Sequence, residues 1–396
     1  MNILFLDQSG KLGGAELSLL DLVEPYHDRC LVGLFTDGHF HELLRQHQIP
    51  VQVLMTQPLQ IQKNTSILRI IASVPQLMKL VQQVAQLSRS YDLLYANTQK
   101  AFVIGAIVSA ITRRPLVYHL RDILSPEHFS PINLRAAVGL ANRFASLVIA
   151  NSQATQKAFI EIGGNSDLVQ VVYNGFEPER YHCVASTLSK LRQDLDLSDR
   201  FVVWHFSRLS PWKGQHVLIE ALTQCPENVT AVMVGDALFE EQEYVEQLHQ
   251  QVKRLKLGDR IVFTGQLPYE QLPQYISAMD VCLSTQSNDL VGMVRTTGKL
   301  PLYLAYGRYV IATDVGEAKR VLPGVGWLLS YEGVRDVHHP ARLADHLKLL
   351  LAEPERLQVA AAARDVAQNN FDYKLLTNRV EKVVQMLFKE HSKPQG

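Results

Sequence analysis

The stretch "FSRLSPWKGQ", residues 206 to 215, sets Arg208 and Lys213 five positions apart in a short loop, with Gly214 directly after the lysine. The apolar run "FVVWHF" (201–206) leads into it, and "HVLIEAL" (216–222) leads out. A β-branched and aromatic run that closes in polar residues and reopens with helical apolar spacing predicts strand, loop and helix. In doubly wound α/β sheets, ligands bind beyond the carboxyl ends of the strands. Two fixed cations at such a place, beside a helix N-terminus, make a clamp for a diphosphate. The plainer reading is a solvated loop in which two basic residues fall close by chance, and it gives no reason for their position at a strand end.

Working outward, the same alternation recurs along the chain. In the first half the strand candidates are "NILFL", "LVGLF", "VQVLM", "DLLYAN", "PLVYHL", "SLVIAN" and "VQVVYNG". In the second they are "FVVWHF", "TAVMVGD", "RIVFTG", "DVCLST", "YVIATDVG" and "GWLLS". Continuous apolar strands separated by helices predict parallel sheets covered on both faces. The series restarts after the polar stretch "STLSKLRQDLDLSDR" (186–200). We therefore expect an α/β protein with two Rossmann-like domains, 1–185 and 186–370. A final amphipathic helix is expected over 371–396, in "KLLTNRVEKVVQMLFKEH", packing back on the N-terminal domain.

Composition agrees with this and narrows the function. With 396 residues, two cores are expected rather than one. The 39 basic and 39 acidic residues balance, which speaks against a general nucleic-acid binder. Cys30, Cys183, Cys225 and Cys282 are scattered and form no CxxC pair, so they read as free thiols of a reducing compartment. Met1 opens directly into "NILFL" with no basic segment before it, which reads as a cytoplasmic chain without a signal peptide. The longest apolar run, "AFVIGAIVSAI" (101–111), is too short to span a bilayer. The basic, apolar run "SILRIIASVPQLMKLVQQVAQLSR" (66–89) raises a peripheral contact on the cytoplasmic membrane face as an alternative to a solvated helix edge.

A second candidate loop is "DQSGKLGGAELSLLDL", where a strand ends near Asp7 and a helix begins near Ala15. Gly10, Gly13 and Gly14 allow close backbone approach to a ligand, and the helix N-terminus offers free N–H groups to an anion. The pattern matches neither of the standard nucleotide-binding glycine fingerprints.

"SRLSPWKGQHVLIEAL" resembles the signature of family-four glycosyltransferases, which have the GT-B fold of two Rossmann-like domains facing a central cleft. The likeness continues in order through "GGAE" (13–16), "VYHLRD", "VIANS", "VVYNGFEPERY", "VMVGD", "IVFTGQL" and "AYGRYVIATDVGEA". This resemblance implies a retaining glycosyltransferase, hexosyltransferase-like, that takes a nucleotide-sugar donor and a sugar, glycan or lipid-linked acceptor. The C-terminal domain would carry the donor and the N-terminal domain the acceptor. Arg208 and Lys213 would hold the diphosphate, so no metal or other cofactor would be required. His119 would lie near the donor sugar. Gly13, Gly14, Gly265, Leu267, Asp289, Thr297, Lys299 and Leu302 would line the donor, and Glu16 and Asp122 the acceptor.

One part of the pattern departs from the family. Counting back from "AYG" (305–307) puts Leu302 where the second of two glutamates normally binds the ribose, and Val294 near the first. "TTGKLPLYLAYG" resembles a variant with a lysine three residues earlier, here Lys299. Leucine accepts no hydrogen bond, so Glu317 and Asp289 are the candidates to replace it. The same departure suggests the alternative of a GT-B-shaped binding protein with a degraded donor site. A sugar-nucleotide epimerase of this fold would need an acidic cluster, which the sequence does not offer. "DLD" (194–196) matches a metal-binding pattern of another transferase fold, but it lies in the inter-domain stretch and reads as helix surface.

Overall fold

The computed structural model describes residues 1–11, 13–55, 67–121, 124, 131–173, 185–237, 241–268, 271–287, 299–332, 336–371, 378 and 381–382. It divides into two compact units, Met1–Gly175 with Tyr373–Gly396, and Phe176–Asp372.

The first unit holds a seven-stranded parallel sheet in the order β3-β2-β1-β4-β5-β6-β7. Its strands are β1 (Ile3–Asp7), β2 (Cys30–Leu34), β3 (Val51–Val53), β4 (Leu93–Ala96), β5 (Leu116–Leu120), β6 (Leu147–Ala150) and β7 (Val169–Val171). The helices are α1 (Gly14–Val23), α2 (His39–Gln46), α3 (Ile67–Ser88), α4 (Gln99–Thr112), α5 (Pro131–Phe144) and α6 (Gln153–Glu161). Strands β1, β4, β5 and β6 are buried at every position, as a central parallel strand covered on both faces must be. One face packs Phe102, Tyr118, Leu134 and Phe159, and the other packs Phe5, Leu19, Tyr26 and Phe40.

The second unit repeats the plan with six parallel strands in the order β10-β9-β8-β11-β12-β13. They are β8 (Phe201–Phe206), β9 (Val229–Val234), β10 (Ile261–Gly265), β11 (Val281–Ser284), β12 (Tyr309–Thr313) and β13 (Gly326–Leu329). The helices are α7 (Ala185–Asp194), α8 (Gln215–Leu222), α9 (Gln242–Arg254), α10 (Leu272–Ala278), α11 (Lys299–Ala305), α12 (Ala318–Val321), α13 (His339–Ala352) and α14 (Ala360–Phe371). Each of the thirteen strand candidates read from the sequence overlaps one of these strands, and the two parallel Rossmann-like sheets follow as expected.

The polar stretch after the first sheet is a working part of the second unit. From α7, Arg192 donates to the carbonyls of Ala278, Leu197 and Arg200 and pairs with Asp280 at 3.2 Å. "DLD" is not helix throughout: Asp194 ends α7, and Asp196 takes a left-handed backbone at φ +56°. Of the C-terminal run, only Asn378, Glu381 and Lys382 are described, all helical, with Glu381 3.8 Å from Arg29 of the first unit. Among the described residues no helix is long and apolar enough to cross a membrane. Exposed apolar residues do occur on two neighbouring helices, Val74 and Met78 on α3 and Ile107 and Ile111 on α4.

Candidate active site

The loop that follows β8 is held in shape from below. His205, on β8, sets Nε2 3.1 Å from the carbonyl oxygen of Lys213 and 3.3 Å from Thr285 Oγ1. The Thr285 hydroxyl also donates to the carbonyls of Lys213 and Gly214. Gln215 Nε2 donates to Ser207 Oγ at 2.8 Å and to the Arg208 carbonyl at 2.9 Å. Gly214 has φ +74°, and a Cβ there would sit 2.4 Å from the Thr285 carbonyl oxygen, so only glycine fits. At Gly235, after β9, φ is +125° and a Cβ would meet the Ser207 oxygen at 2.1 Å. The two strand ends therefore approach as closely as backbone allows.

On this base the two cations meet one indole. Lys213 Nζ lies 3.8 Å from the centroid of the Trp212 ring, and the Arg208 guanidinium carbon lies 5.7 Å from it. Such contacts orient a cation while leaving its remaining donors for an anion. Lys213 is buried, with Gln286 Oε1 3.4 Å from Nζ. Arg208 Nε lies 3.1 Å from Glu241 Oε2, and the Ser210 hydroxyl donates to the other oxygen of that carboxylate.

The remaining donor candidates divide. Gly265 takes φ +68°, with its carbonyl accepting from Gly235 N at 2.9 Å, and Leu267 follows two residues beyond it. Lys299 opens α11, half-buried, with Nζ 5.9 Å from the Phe206 ring centroid. Burial pushes its ammonium pKa down to about 7. Burial, with the charges of Lys299 and Lys213 beside it, pushes His205 down to about 3. Leu302 is buried on the same helix. Glu317, a candidate to replace the missing glutamate, gives its carboxylate to Arg320 Nε at 2.9 Å. Asp289, Val294, Thr297 and Asp122 lie outside the described residues.

In the first unit, Gly13 caps α1 with an extended backbone and no side-chain cap, and Glu16 lies buried in the first turn. A Cβ on Gly14 would meet nothing, so this glycine is not required by packing. His119, near the end of β5, is 5% exposed; its Nδ1 lies 2.7 Å from the Tyr95 hydroxyl, while the buried Nε2 has no hydrogen-bond partner among the described residues. Burial, then the Arg121 charge, hold its pKa well below the usual histidine value, so the ring is neutral.

Sequence reading missed the polar chain beneath these residues. Asn97 Nδ2 donates to Asp7 Oδ2 at 2.6 Å, and Arg121 reaches Asn97 Oδ1 through Nε and Ser18 Oγ through Nη1, at 2.9 and 2.7 Å. Asn151 Nδ2 donates to the Arg121 carbonyl. This chain ties the ends of β1, β4, β5 and β6 to helix α1. Arg121 and Asp7 stand inside quoted motifs, but their partners lie tens of residues away along the chain, and no spacing rule reports that.

Comparison with known proteins matches this architecture. Residues 12–180 match the Glycosyltransferase Family 4 model and residues 189–365 the Glycosyl transferases group 1 model. A crystal structure of HepE from Anabaena in complex with UDP is 48% identical over 98% of this chain and 100% of that one, with a TM-score of 0.85. Another holds HepE with UDP-glucose, at 47% identity and the same TM-score. The lipopolysaccharide 1,2-N-acetylglucosaminetransferase of Salmonella typhimurium is 26% identical over 69% of this chain and 67% of its own length. The GDP-mannose-dependent alpha-(1-6)-phosphatidylinositol monomannoside mannosyltransferase of Mycolicibacterium smegmatis is 29% identical, and the match spans 37% of this chain and 38% of that enzyme. Two family models in sequence order, together with a full-length structural relative at nearly half identity, place the chain among the family-four glycosyltransferases of GT-B fold.

Proposed function

We propose that this glycosyltransferase moves a glucosyl group from UDP-glucose to a sugar, glycan or lipid-linked acceptor with retention at the anomeric carbon, and needs no metal. The observation that carries the reading is the pair Arg208 and Lys213, both within about 6 Å of the Trp212 ring centroid, at the carboxyl end of β8. The likeness to HepE, solved with UDP-glucose, supports the choice of donor.

In the reaction the bond from the anomeric carbon to the β-phosphate oxygen breaks, and its electron pair leaves on UDP. Charge grows on the diphosphate as it departs, and two preorganised cations stabilise that charge more in the transition state than in the ground state. The acceptor oxygen bonds the anomeric carbon on the face that UDP leaves, and the departing phosphate takes the acceptor proton. Residues 186–370 form the donor side, and residues 1–185 the acceptor side. His119 gives a hydrogen bond to a substrate oxygen.

The test is turnover of UDP-glucose by the purified chain, read as UDP release with and without added oligosaccharide acceptors and with and without EDTA. Release of UDP that survives EDTA, and an α-linked product by NMR, are expected. No release from UDP-glucose would overturn the donor. Loss in EDTA with rescue by manganese would overturn the metal-free mechanism, and a β-linked product would overturn retention.

A further inference from the structure

His119 is neutral, so one ring nitrogen carries the proton and the other accepts. Which is which follows from its neighbour. Tyr95 pairs in register with Val117, two residues before His119 on the adjacent strand, so the tyrosine and the histidine share a face of the sheet. The rings meet edge to face at 5.9 Å, and Phe5 packs on Tyr95 from β1 at 5.0 Å. Tyr95 is 1% exposed, and burial raises its hydroxyl pKa, so it keeps its proton. The hydroxyl has one hydrogen-bond partner among the described residues, His119 Nδ1 at 2.7 Å.

Two arrangements are possible. If Nδ1 carried the ring proton, it would donate to the tyrosine oxygen. The tyrosine proton would then have no acceptor, and Nε2 would be a second buried group without a partner. If Tyr95 donates into Nδ1, only one group is left over, the N–H on Nε2. A buried unsatisfied group is costly, so the second arrangement is favoured.

We propose that Tyr95 is a positioning residue: it fixes the tautomer of His119 so that the proton sits on Nε2, leaving that N–H to donate to an oxygen of the substrate. The proposal rests on the reading of His119 as a substrate contact. It adds the residue that sets which atom makes that contact and in which sense. A bare Nε2 would accept from a hydroxyl; a protonated Nε2 donates, and so suits a sugar or phosphate oxygen acting as acceptor.

The test has two arms. Long-range proton–nitrogen NMR on the histidine-labelled, substrate-free protein should show His119 with an unprotonated Nδ1 and a protonated Nε2. Tyr95→Phe, which removes one atom from the core, should leave a mixture of tautomers and cut kcat with UDP-glucose about tenfold while KM stays within about twofold. In a His119→Asn background the same change should cost no further kcat. A wild-type His119 protonated on Nδ1 overturns the proposal, whether or not Tyr95→Phe folds. So does a folded Tyr95→Phe protein with the wild-type tautomer and kcat. The NMR arm needs no turnover, so a chain inactive on UDP-glucose would sink the transfer reading and leave the tautomer result to stand or fall by itself.

Discussion

His119 and His205 are both buried imidazoles on interior strands of parallel sheets, yet they are held in opposite ways. His205 is saturated: Ser207 Oγ lies 3.3 Å from Nδ1, and the Lys213 carbonyl and Thr285 hydroxyl lie on Nε2. His119 is held on one side, by Tyr95, and its other nitrogen has no partner among the described residues. The loops beside them differ in a matching way. The loop after β8 carries Arg208 and the buried Lys213 braced from beneath, whereas the loop after β1 carries a single, exposed Lys11 before its glycines. A fully partnered polar group shapes the protein; a buried one left with an open valence is shaped for something else. In the second unit His205 braces the cationic loop, and in the first His119 is the histidine proposed above to meet the substrate.

The largest expected effect tests the loops. Arg208→Ala and Lys213→Ala should each lower kcat/KM by about 2–4 orders of magnitude, with an unchanged fold by circular dichroism. Lys11→Ala, in the corresponding loop of the first sheet, should change it by less than about twofold. Near-normal turnover in either of the first two variants would remove the diphosphate assignment. A comparable loss in Lys11→Ala would erase the contrast between the loops.

The next compares the histidines directly. Asparagine reaches the position of Nδ1 and lacks Nε2, and both sites lose the same ring volume. His205→Asn strips the contacts to Lys213 and Thr285, while His119→Asn keeps a partner for Tyr95 and strips only an atom that has none. In urea unfolding, His205→Asn should therefore be the less stable by about 1–2 kcal/mol. It should also weaken UDP binding, because the turn bearing Lys213 loses a brace. His119→Asn should leave UDP affinity within about twofold and lower kcat about tenfold. Equal stability losses would mean that His119 Nε2 is satisfied in solution, and that the two imidazoles are alike after all.

How far the sequence announced this follows from the same contrast. The strands were legible because a strand covered on both faces has to be apolar at every position, a local signal that "FVVWHF" and "SLVIAN" both carry. The cationic loop was legible because a strand end, two charges and a glycine lie within ten residues. Gly214 was singled out, and its left-handed backbone against Thr285 supplies the reason. The braces were not legible. Asn97 reaches Asp7 across 90 residues, Arg121 reaches Ser18 across 103, and His205 reaches Thr285 across 80. Each is a polar side chain held by tertiary contact, which has no periodicity of its own. At Gly14, unlike Gly214, packing supplies no reason for the glycine: a Cβ there would meet nothing.

The smallest expected effect concerns Lys299, the cation that the sequence placed in the donor site only through a resemblance. Its pKa of about 7, against an ordinary 10.5, makes it a cation whose charge can be switched near neutral pH. If it faces the donor, binding should weaken as the pH rises through that value. UDP-glucose suits the measurement better than UDP, because its diphosphate is diesterified and stays fully ionised from about pH 6 to about pH 8.5. The dissociation constant should rise severalfold over that interval in the wild type, and calorimetry at the upper end should show proton uptake on binding, since the diphosphate recharges the lysine. Lys299→Met should give a flat profile near the high-pH wild-type affinity. Stability without ligand should move the other way. An unfolded lysine holds its proton up to about 10.5 and the folded one releases it near 7, so over that window the unfolded state binds more protons and folding becomes more favourable as pH rises. Opposite slopes for binding and for stability are what a half-buried lysine facing an anionic ligand would give. A wild-type affinity that is flat in pH, or a Lys299→Met profile with the wild-type slope, would take Lys299 out of the donor site and leave the diphosphate to Arg208 and Lys213 alone.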